Sequence, residues 1–418
     1  MTVTAEPLAA PPSAWRNPGY RAHFTTYMLA MMADNIEHVI SYWMAFQKFN
    51  SPALGGFAVI SHWLPFLLFS VAAGGLADRI DPRRMIQCGM VLFMSVSVAW
   101  GLLFWTDSLR LWQAMVLLVL HGLAGVLWQT ASQLLLHDIA RLGELPSAIR
   151  LNAIARNLGL LVGPAAGAGL MLWMGPTAGI FANALLYVPL LWWLWKAPYG
   201  PKFGPRFRSG VVSPPRPIRG LADIVQTSRE VASHPLILPM VLLAGATSFL
   251  VGNSYHAQMP GYAQDLGHGH ADLTYSALLA ADAIGALLAG LVLGRMSALR
   301  PTPRAALALA AAWAGVLAAF ALNTHYPVAL LLLFCAGFLE LSFGTMAQTV
   351  VQLNAPLAGR GRVIGLFNMA SMGLRTFSGI TVGVAGSLMG IHLSLALSAG
   401  LVVVVCGLLW LRLRSNSP

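Results

Sequence analysis

Six ionisable residues stand inside apolar runs of this sequence: Asp34, Glu37, Asp282, Glu340, Arg156 and Arg375. A charge placed in hydrocarbon is costly, so such residues mark an ion or substrate pathway, or pair with one another. Asp34 and Glu37 are three apart and share one helix face, flanked by Asn35 and His38. Two carboxylates on one apolar face do not both ionise cheaply, which suits a proton carrier. The alternative is an ion pair with Arg156 that only holds helices together. Arg375 can pair with Glu340 or with Asp282, leaving the other acid free to titrate. Measured along helices from the start of each apolar run, Asp34 and Glu340 lie about 20 Å deep, Arg375 about 18 Å and Asp282 about 14 Å. Arg156, about 9 Å inside its run, is within snorkelling reach of a membrane surface.

Other chemistry-bearing residues read more simply. His62 and His121 are single histidines on apolar helices, where hydrogen-bonded packing is the ordinary role. Asp265-x-x-His268-x-His270-x-Asp272 has metal-ligating residue types, but its glycine-rich context without cysteine reads as a solvated loop. Cys88, Cys335 and Cys406 fall in apolar stretches and read as packing residues. Trp192, Trp193 and Trp195 end an apolar run and suit a membrane-interface belt. There is no glycine-rich lysine loop for nucleotide, no hydrolase nucleophile motif and no metalloprotease helix. The expectation is therefore a protein that is not an enzyme and has neither a cofactor nor a metal site.

The elements that position these residues follow from composition. Of 418 residues, 57% are hydrophobic and 9% charged, against roughly 25% charged in soluble domains. Apolar runs near Arg21–Phe49, Leu54–Ala77, Met85–Trp105, Leu111–His137, Leu151–Met174 and Thr177–Trp195 predict six membrane-spanning helices. Six more follow near Leu236–Gln258, Leu273–Leu293, Ala305–Leu322, Val328–Val351, Val363–Met389 and His392–Leu413. The division is a tail over 1–20, an N-terminal bundle over 21–195, a basic linker over 196–234, a C-terminal bundle over 235–413 and a tail over 414–418. Within the linker, the stretch around Leu221–Val231 is amphipathic and is expected on the membrane surface. The first twenty residues lack the basic start, apolar run and small-residue cleavage site of a signal peptide, and a short cytoplasmic tail is expected there.

With both termini placed in the cytoplasm, 21 of the 25 basic residues fall on the cytoplasmic side. This bias fixes the orientation and explains the net charge of +11 without nucleic acid. Gln129-Thr130-x-x-Gln133 at the end of the fourth span recurs as Gln348-Thr349-x-x-Gln352 at the end of the tenth. A parallel repeat of six helices is an organisation found in secondary transporters.

Between the second and third spans runs Gly74-Gly75-Leu76-Ala77-Asp78-Arg79-Ile80-Asp81-Pro82-Arg83-Arg84. This loop resembles the signature of the major facilitator superfamily. The resemblance implies twelve transmembrane helices in two six-helix bundles, an all-α membrane fold. In it Gly75 permits close helix approach, Asp78 sits at a helix terminus, and Arg79, Arg83 and Arg84 bridge to the neighbouring bundle as a cytoplasmic gate. The second-half counterpart, Gly290-x-x-x-Gly294-Arg295, lacks the acid. In the fifth span Gly159, Gly163 and Gly167 stand four apart with Pro164 among them and share a packing face; the Gly-Pro pair is similar to that of proton-antiporting exporters. Arg360-Gly361-Arg362-Val363-Ile364-Gly365 and Ala280-Ala281-Asp282-Ala283-Ile284-Gly285 look like the branch holding the enterobactin exporter and macrolide efflux proteins. Where that branch has a proline in the eleventh span, this chain has Gly373-Leu374-Arg375-Thr376.

The resulting expectation is a monomeric, multi-pass secondary transporter of the bacterial inner membrane. It exports an amphipathic small molecule, a siderophore or a drug, in exchange for protons. A proton- or cation-coupled metabolite importer and a lysophospholipid flippase are the alternatives.

Overall fold

A chain this apolar has no water to satisfy its backbone, so each segment must close its own hydrogen bonds as a helix. The computed structural model describes residues 13–49, 52–141, 143–199, 219–252, 254–267, 273–295 and 301–415. Among them there are helices and turns and no strand. The long helices are α1 (Pro18–Phe49), α2 (Pro52–Ala77), α3 (Pro82–Trp105), α4 (Leu111–Ile139), α5 (Leu145–Leu185) and α6 (Val188–Lys196) in the first half. The linker contributes α7 (Leu221–Ala232). The second half has α8 (Ile237–Leu250), α9 (Leu273–Arg295), α10 (Pro303–Ala321), α11 (Tyr326–Asn354), α12 (Arg360–Ser371) and α13 (Ile391–Ser415). The tail over 1–12, the linker over 200–218 and residues His268, His270, Asp272 and Arg300 lie outside the described residues.

Local signals start several helices. The Asp81 side chain caps α3, accepting from Arg83 N at 3.0 Å, and Pro82 follows it. Thr302 caps α10 in the same way, with Pro303 next. The fifth and sixth expected spans are parted at Gly175, which leaves helical geometry with a φ of +80° that favours glycine, and Pro176 follows it. Helix α5 starts at Leu145, six residues before the expected Leu151.

Among the described residues, eight helices are long and apolar enough to cross a membrane, with Leu145–Lys196 counted once. The expected spans missing from that set are those carrying Asp34 and Glu37, Asp282, and Arg375. Two expected spans are broken. After α8 the chain turns at Gly252 into short helices Ser254–Ala257 and Met259–Asp265. After α12 it runs through a 3-10 turn Gly373–Phe377, a π turn Gly379–Val384 and a short helix Ala385–Met389.

The two breaks lie side by side, and side chains satisfy the backbone groups they free. Ser248 Oγ donates to Ser371 O at 2.6 Å, Thr381 Oγ1 to Leu250 O at 2.9 Å, and the Ser254 and Ser378 hydroxyls meet at 2.7 Å. Irregular backbone at membrane depth is tolerated where protein covers it in this way.

Three expectations need correction. Helix α7 does not simply float on a membrane surface, because Asp223 is buried and its Oδ1 lies 3.5 Å from Arg362 Nε. An acid on the inward face of α7 meets a cation of the second bundle, which docks the helix. Cys88 is exposed rather than packed, while Cys335 is intermediate and Cys406 buried. The seventh and eleventh expected spans are not continuous helices, for the reason just given.

Candidate functional site

Midway along α1, Asp34 and Glu37 turn to the same neighbour on α4. His121 Nε2 lies 2.8 Å from Asp34 Oδ1, and Nδ1 lies 2.8 Å from Glu37 Oε1. All three are buried, Glu37 to 1% exposure. Ser97 on α3 donates to Glu37 Oε2, and Asn183 Nδ2 donates to Ser97 Oγ at 3.4 Å. Phe93 stands edge-on to His121 and stacks on Tyr187, so the imidazole is held by packing as well as by charge. A neutral imidazole has one N–H and cannot donate to two carboxylates. Filling both contacts takes an imidazolium between two carboxylates, or a further proton on one acid.

This arrangement corrects two readings. Among the described residues Arg156 forms no ion pair with either acid. His121 is no isolated packing residue either, since it is the shared partner of both carboxylates. His38 and His62 complete the cluster, with ring centroids 4.6 Å from His38 to His121 and 4.9 Å from His38 to His62. The ligating atoms of these three histidines lie within 4.8 Å of one another. A metal ion needs a free imidazole lone pair, and both nitrogens of His121 are already turned to carboxylates.

The second half gathers its own acids. Tyr255 OH lies 3.2 Å from Glu340 Oε2 and 3.4 Å from Asp282 Oδ1, so its one proton can be donated to either, and His256 Nε2 lies 3.2 Å from Asp282 Oδ2. Arg375 approaches Glu340 at 3.9 Å, donates from Nε to Ser371 O at 3.0 Å, and sits over the Trp63 ring of α2 at 5.4 Å. The helix breaks place these groups: Tyr255 and His256 follow the first, and Arg375 lies in the second.

A single offset relates the two halves. Gln133 and Gln352 are 219 residues apart, and the same offset carries His121 onto Glu340, Glu37 onto His256 and Arg156 onto Arg375. Acid and imidazole have exchanged helices between the repeats. Tyr255, His256 and Ser97 were missed in the sequence because they lie outside charged positions; the offset was the signal that pointed to His256.

At the end from which the linker leaves, the halves are latched. Asp78 Oδ1 accepts from Gly361 N at 2.7 Å, and Oδ2 accepts from Arg362 N at 3.3 Å. These are first-turn N–H groups of α12, which no helical carbonyl satisfies, and the helix dipole favours an anion there. A Cβ on Gly74 would run into Gly361 O, and one on Gly75 would come within 3.2 Å of Arg362 Nε. Gln352 Nε2 donates to Gln133 Oε1 at 3.3 Å, and Gln133 Nε2 to Asn368 Oδ1 at 2.8 Å. The contacts that Arg83 and Arg84 make among the described residues lie in the first half. Arg83 pairs with Asp81 at 2.7 Å and donates to Ala197 O, and Arg84 donates to Gln87 at 2.8 Å. Arg79 is exposed in the turn.

The packing glycines lie against α1. A Cβ on Gly159 would press on Met31 and Met32, and on Gly163 against Asn35 and Met32 O. Gly167 faces Ile36 and Val39 at 3.3 Å. Pro164 sits inside α5. This close approach of α5 fixes the face of α1 that carries Asp34 and Glu37.

Comparison with known proteins agrees with this architecture. Over 384 residues the chain is 27% identical to the multidrug efflux pump Tap of Mycolicibacterium fortuitum, covering 87% of this chain and 88% of that one. It is 29% identical to the MFS-type transporter y4rN of Sinorhizobium fredii over 136 residues, which is 32% of this chain and 34% of y4rN. The proton:xylose symporter XylE bound to 6-bromo-6-deoxy-D-glucose has the same fold, with a TM-score of 0.70 at 14% identity over 94% of this chain and 95% of that one. These likenesses do not single out the enterobactin and macrolide branch. The chain matches the Major Facilitator Superfamily over residues 24–379. Two six-helix bundles joined by a linker and latched through the loop at Asp78 are thus the work of a membrane transporter, not an enzyme, and the chain belongs to the major facilitator superfamily.

Proposed function

We propose that the protein is a proton-coupled antiporter exporting an amphipathic small molecule from the cytoplasm across the bacterial inner membrane, as a monomer with both termini inside. The observation that carries this reading is His121 held between Asp34 and Glu37. An imidazolium between two carboxylates has a net charge of −1, and one added proton makes the group neutral. Neutral groups cross between membrane-embedded states more cheaply than charged ones. The likeness to an efflux pump along most of both chains supports the outward direction.

The cycle follows from the latch and the triad. With the linker end closed, the triad takes a proton from the outside as cargo leaves. Rearrangement opens the linker end, where the proton departs to the cytoplasm and new cargo enters. Alternating access then repeats from the other side. The basic bias of the linker end supports placing it in the cytoplasm.

The test is proton flux in proteoliposomes with a pH-sensitive dye inside, challenged with a panel of amphipathic fluorescent compounds. Expected is compound-dependent proton movement opposite to compound movement, lost in Glu37→Gln and His121→Asn at equal folded protein. Proton movement in the same direction as the compound would identify an importer. Compound movement without protons would overturn the coupling.

A further inference from the structure

Three histidines that look isolated along the chain come together where α1, α2 and α4 pack. His38 lies one turn beyond Asp34 on the same face of α1, His62 is on α2 and His121 on α4. One ring nitrogen of each lies within 4.8 Å of the other two. The His38 ring stands at 70° to His121 and 71° to His62, so the rings converge on one place rather than stack. Two nitrogens of this group, His62 Nδ1 and His121 Nε2, are buried without a hydrogen bond. The 2.8 Å contact of His121 Nε2 with Asp34 Oδ1 is one of charge, not aligned as a hydrogen bond.

The far side of His121 explains what that nitrogen can do. Nδ1 lies 2.8 Å from Glu37 Oε1, and donating its proton there turns the Nε2 lone pair toward Asp34. A carboxylate that orients an imidazole through its other nitrogen is the usual support of a metal-ligating histidine, and Ser97 in turn holds Glu37. A lone pair facing a carboxylate oxygen repels it unless a cation stands between them. A proton fills that role in the imidazolium described above, and a metal ion fills it with two further imidazoles at hand. Two buried carboxylates carry a charge of −2, which one proton halves and a divalent cation cancels.

We propose that His38, His62, His121 and Asp34 bind a divalent transition-metal ion of the zinc type in place of the proton on His121 Nε2. That proton leaves to solvent, and the Nδ1 proton stays on its bond to Glu37. Imidazoles with one carboxylate suit Zn2+, Co2+ or Fe2+, whereas Mg2+ and Ca2+ take oxygen ligands. Four ligands about 2.0–2.1 Å from a tetrahedral ion stand about 3.3 Å apart, so the nitrogens close by about 1.5 Å at most. Asp34 Oδ1 and His121 Nε2 part by about 0.5 Å. His38 and His62 keep partial exposure, and Trp63 beside His62 lies under Arg375 of the second half at 5.4 Å, which leaves an approach from between the bundles. A seated ion excludes the coupling proton. That consequence rests on the transport reading above; the binding itself does not.

The experiment titrates Co2+ into tag-free, full-length protein in lipid nanodiscs without any gradient. Expected is one Co2+ per chain with the intense visible absorption of a four-coordinate ion, displaced by Zn2+ and not by Mg2+. His38→Gln and His62→Gln should each weaken binding about tenfold or more and remove that spectrum. Because His62 Nδ1 has no hydrogen bond to lose, metal-free His62→Gln should unfold at the parent temperature. Glu37→Gln keeps all four ligands and should weaken binding while leaving the spectrum, and His325→Gln, at an exposed position ahead of α11, should change neither. No bound Co2+, the weak spectrum of a six-coordinate ion, or a four-coordinate spectrum that survives in folded His38→Gln and His62→Gln would each overturn the proposal. So would proton flux in proteoliposomes undiminished with Zn2+ bound. Metal binding by a protein that moves no protons when metal-free would sink the antiport reading and leave this site standing. Proton flux without any metal binding would do the reverse.

Discussion

Gln133 and Gln352, equivalent residues of the two repeats and 219 positions apart, hydrogen-bond to each other at 3.3 Å where the fourth and tenth spans end. The pseudo-twofold relation of the bundles therefore passes close to this pair. Gln133 also donates to Asn368, which donates onward to Thr130 Oγ1 at 3.4 Å. A chain of neutral amides at this place can break and re-form without stranding a charge, which suits a contact that must open in every cycle.

Replacing both glutamines should loosen that contact. A buried amide hydrogen bond contributes on the order of 1 kcal/mol, so Gln133→Ala with Gln352→Ala should shift the closed-to-open ratio of the linker end about fivefold or more. Spin labels at exposed Ile80 and Leu357, in a background without the native cysteines, report the distance distribution across that end. An unchanged distribution would show that the pair is incidental to closure.

Asp78→Asn keeps an acceptor for the α12 N–H groups and removes the charge. Hydrogen bonds to a charged group contribute about 1.5–3 kcal/mol, so the same labels should show a larger open fraction than in the parent. Asp78→Ala should show more. Transport by a folded Asp78→Asn protein at the parent rate would rule out a gating role for the charge.

Gly365 packs so closely that a Cβ would run into Ser70 O, whereas a Cβ on Gly344 would meet nothing within 4 Å. Gly365→Ala should hold the linker end open, at a cost of about 1–3 kcal/mol to the closed form. Gly344→Ala, a helical glycine with room, should leave the distance distribution alone and raise the unfolding temperature slightly. Equal effects of the two substitutions would remove the steric argument.

For Glu37 and His121, a double-mutant cycle separates pairing from packing. Removing one partner of a buried ion pair costs about 3–5 kcal/mol, because the other is left uncompensated. Glu37→Gln with His121→Asn should therefore cost well under the sum of the two single changes. Thermal unfolding in one detergent reads this directly, and additive losses would argue against a coupled pair.

On the far side from the linker, Lys48 Nζ lies 2.6 Å from Asp107 Oδ1 and donates to it. That hydrogen bond and the ammonium charge hold the Asp107 carboxyl below its ordinary range. A depressed folded value means the stabilisation is present above the unfolded value of about 3.9 and is lost as pH falls through the lower folded one. Asp107 has a φ of +48°, which asparagine tolerates. Asp107→Asn should thus lower the thermal midpoint slightly at pH 7 in low salt, with the difference shrinking as pH falls below about 3.9. Since the pair is exposed, salt should erase the difference.

Hydropathy and the cost of burying charge are local properties, so the apolar segments, their two sets of six and the positions of the membrane-depth charges could be read along the chain. The repeated Gln-Thr-x-x-Gln and the Gly-Gly-x-x-Asp-Arg loop were legible for the same reason. Pairing between these residues was set by how the helices pack. Asp34 and Glu37 found His121 and not Arg156, Asp78 found the backbone of α12, and Arg83 turned back to Asp81. The breaks that place Tyr255, His256 and Arg375 were equally hidden, since they are stable only because each frees backbone groups that the other's side chains satisfy. A contact between residues 84 or 283 positions apart depends on how helices pack, and no local pattern along a single helix records which face its neighbour will present.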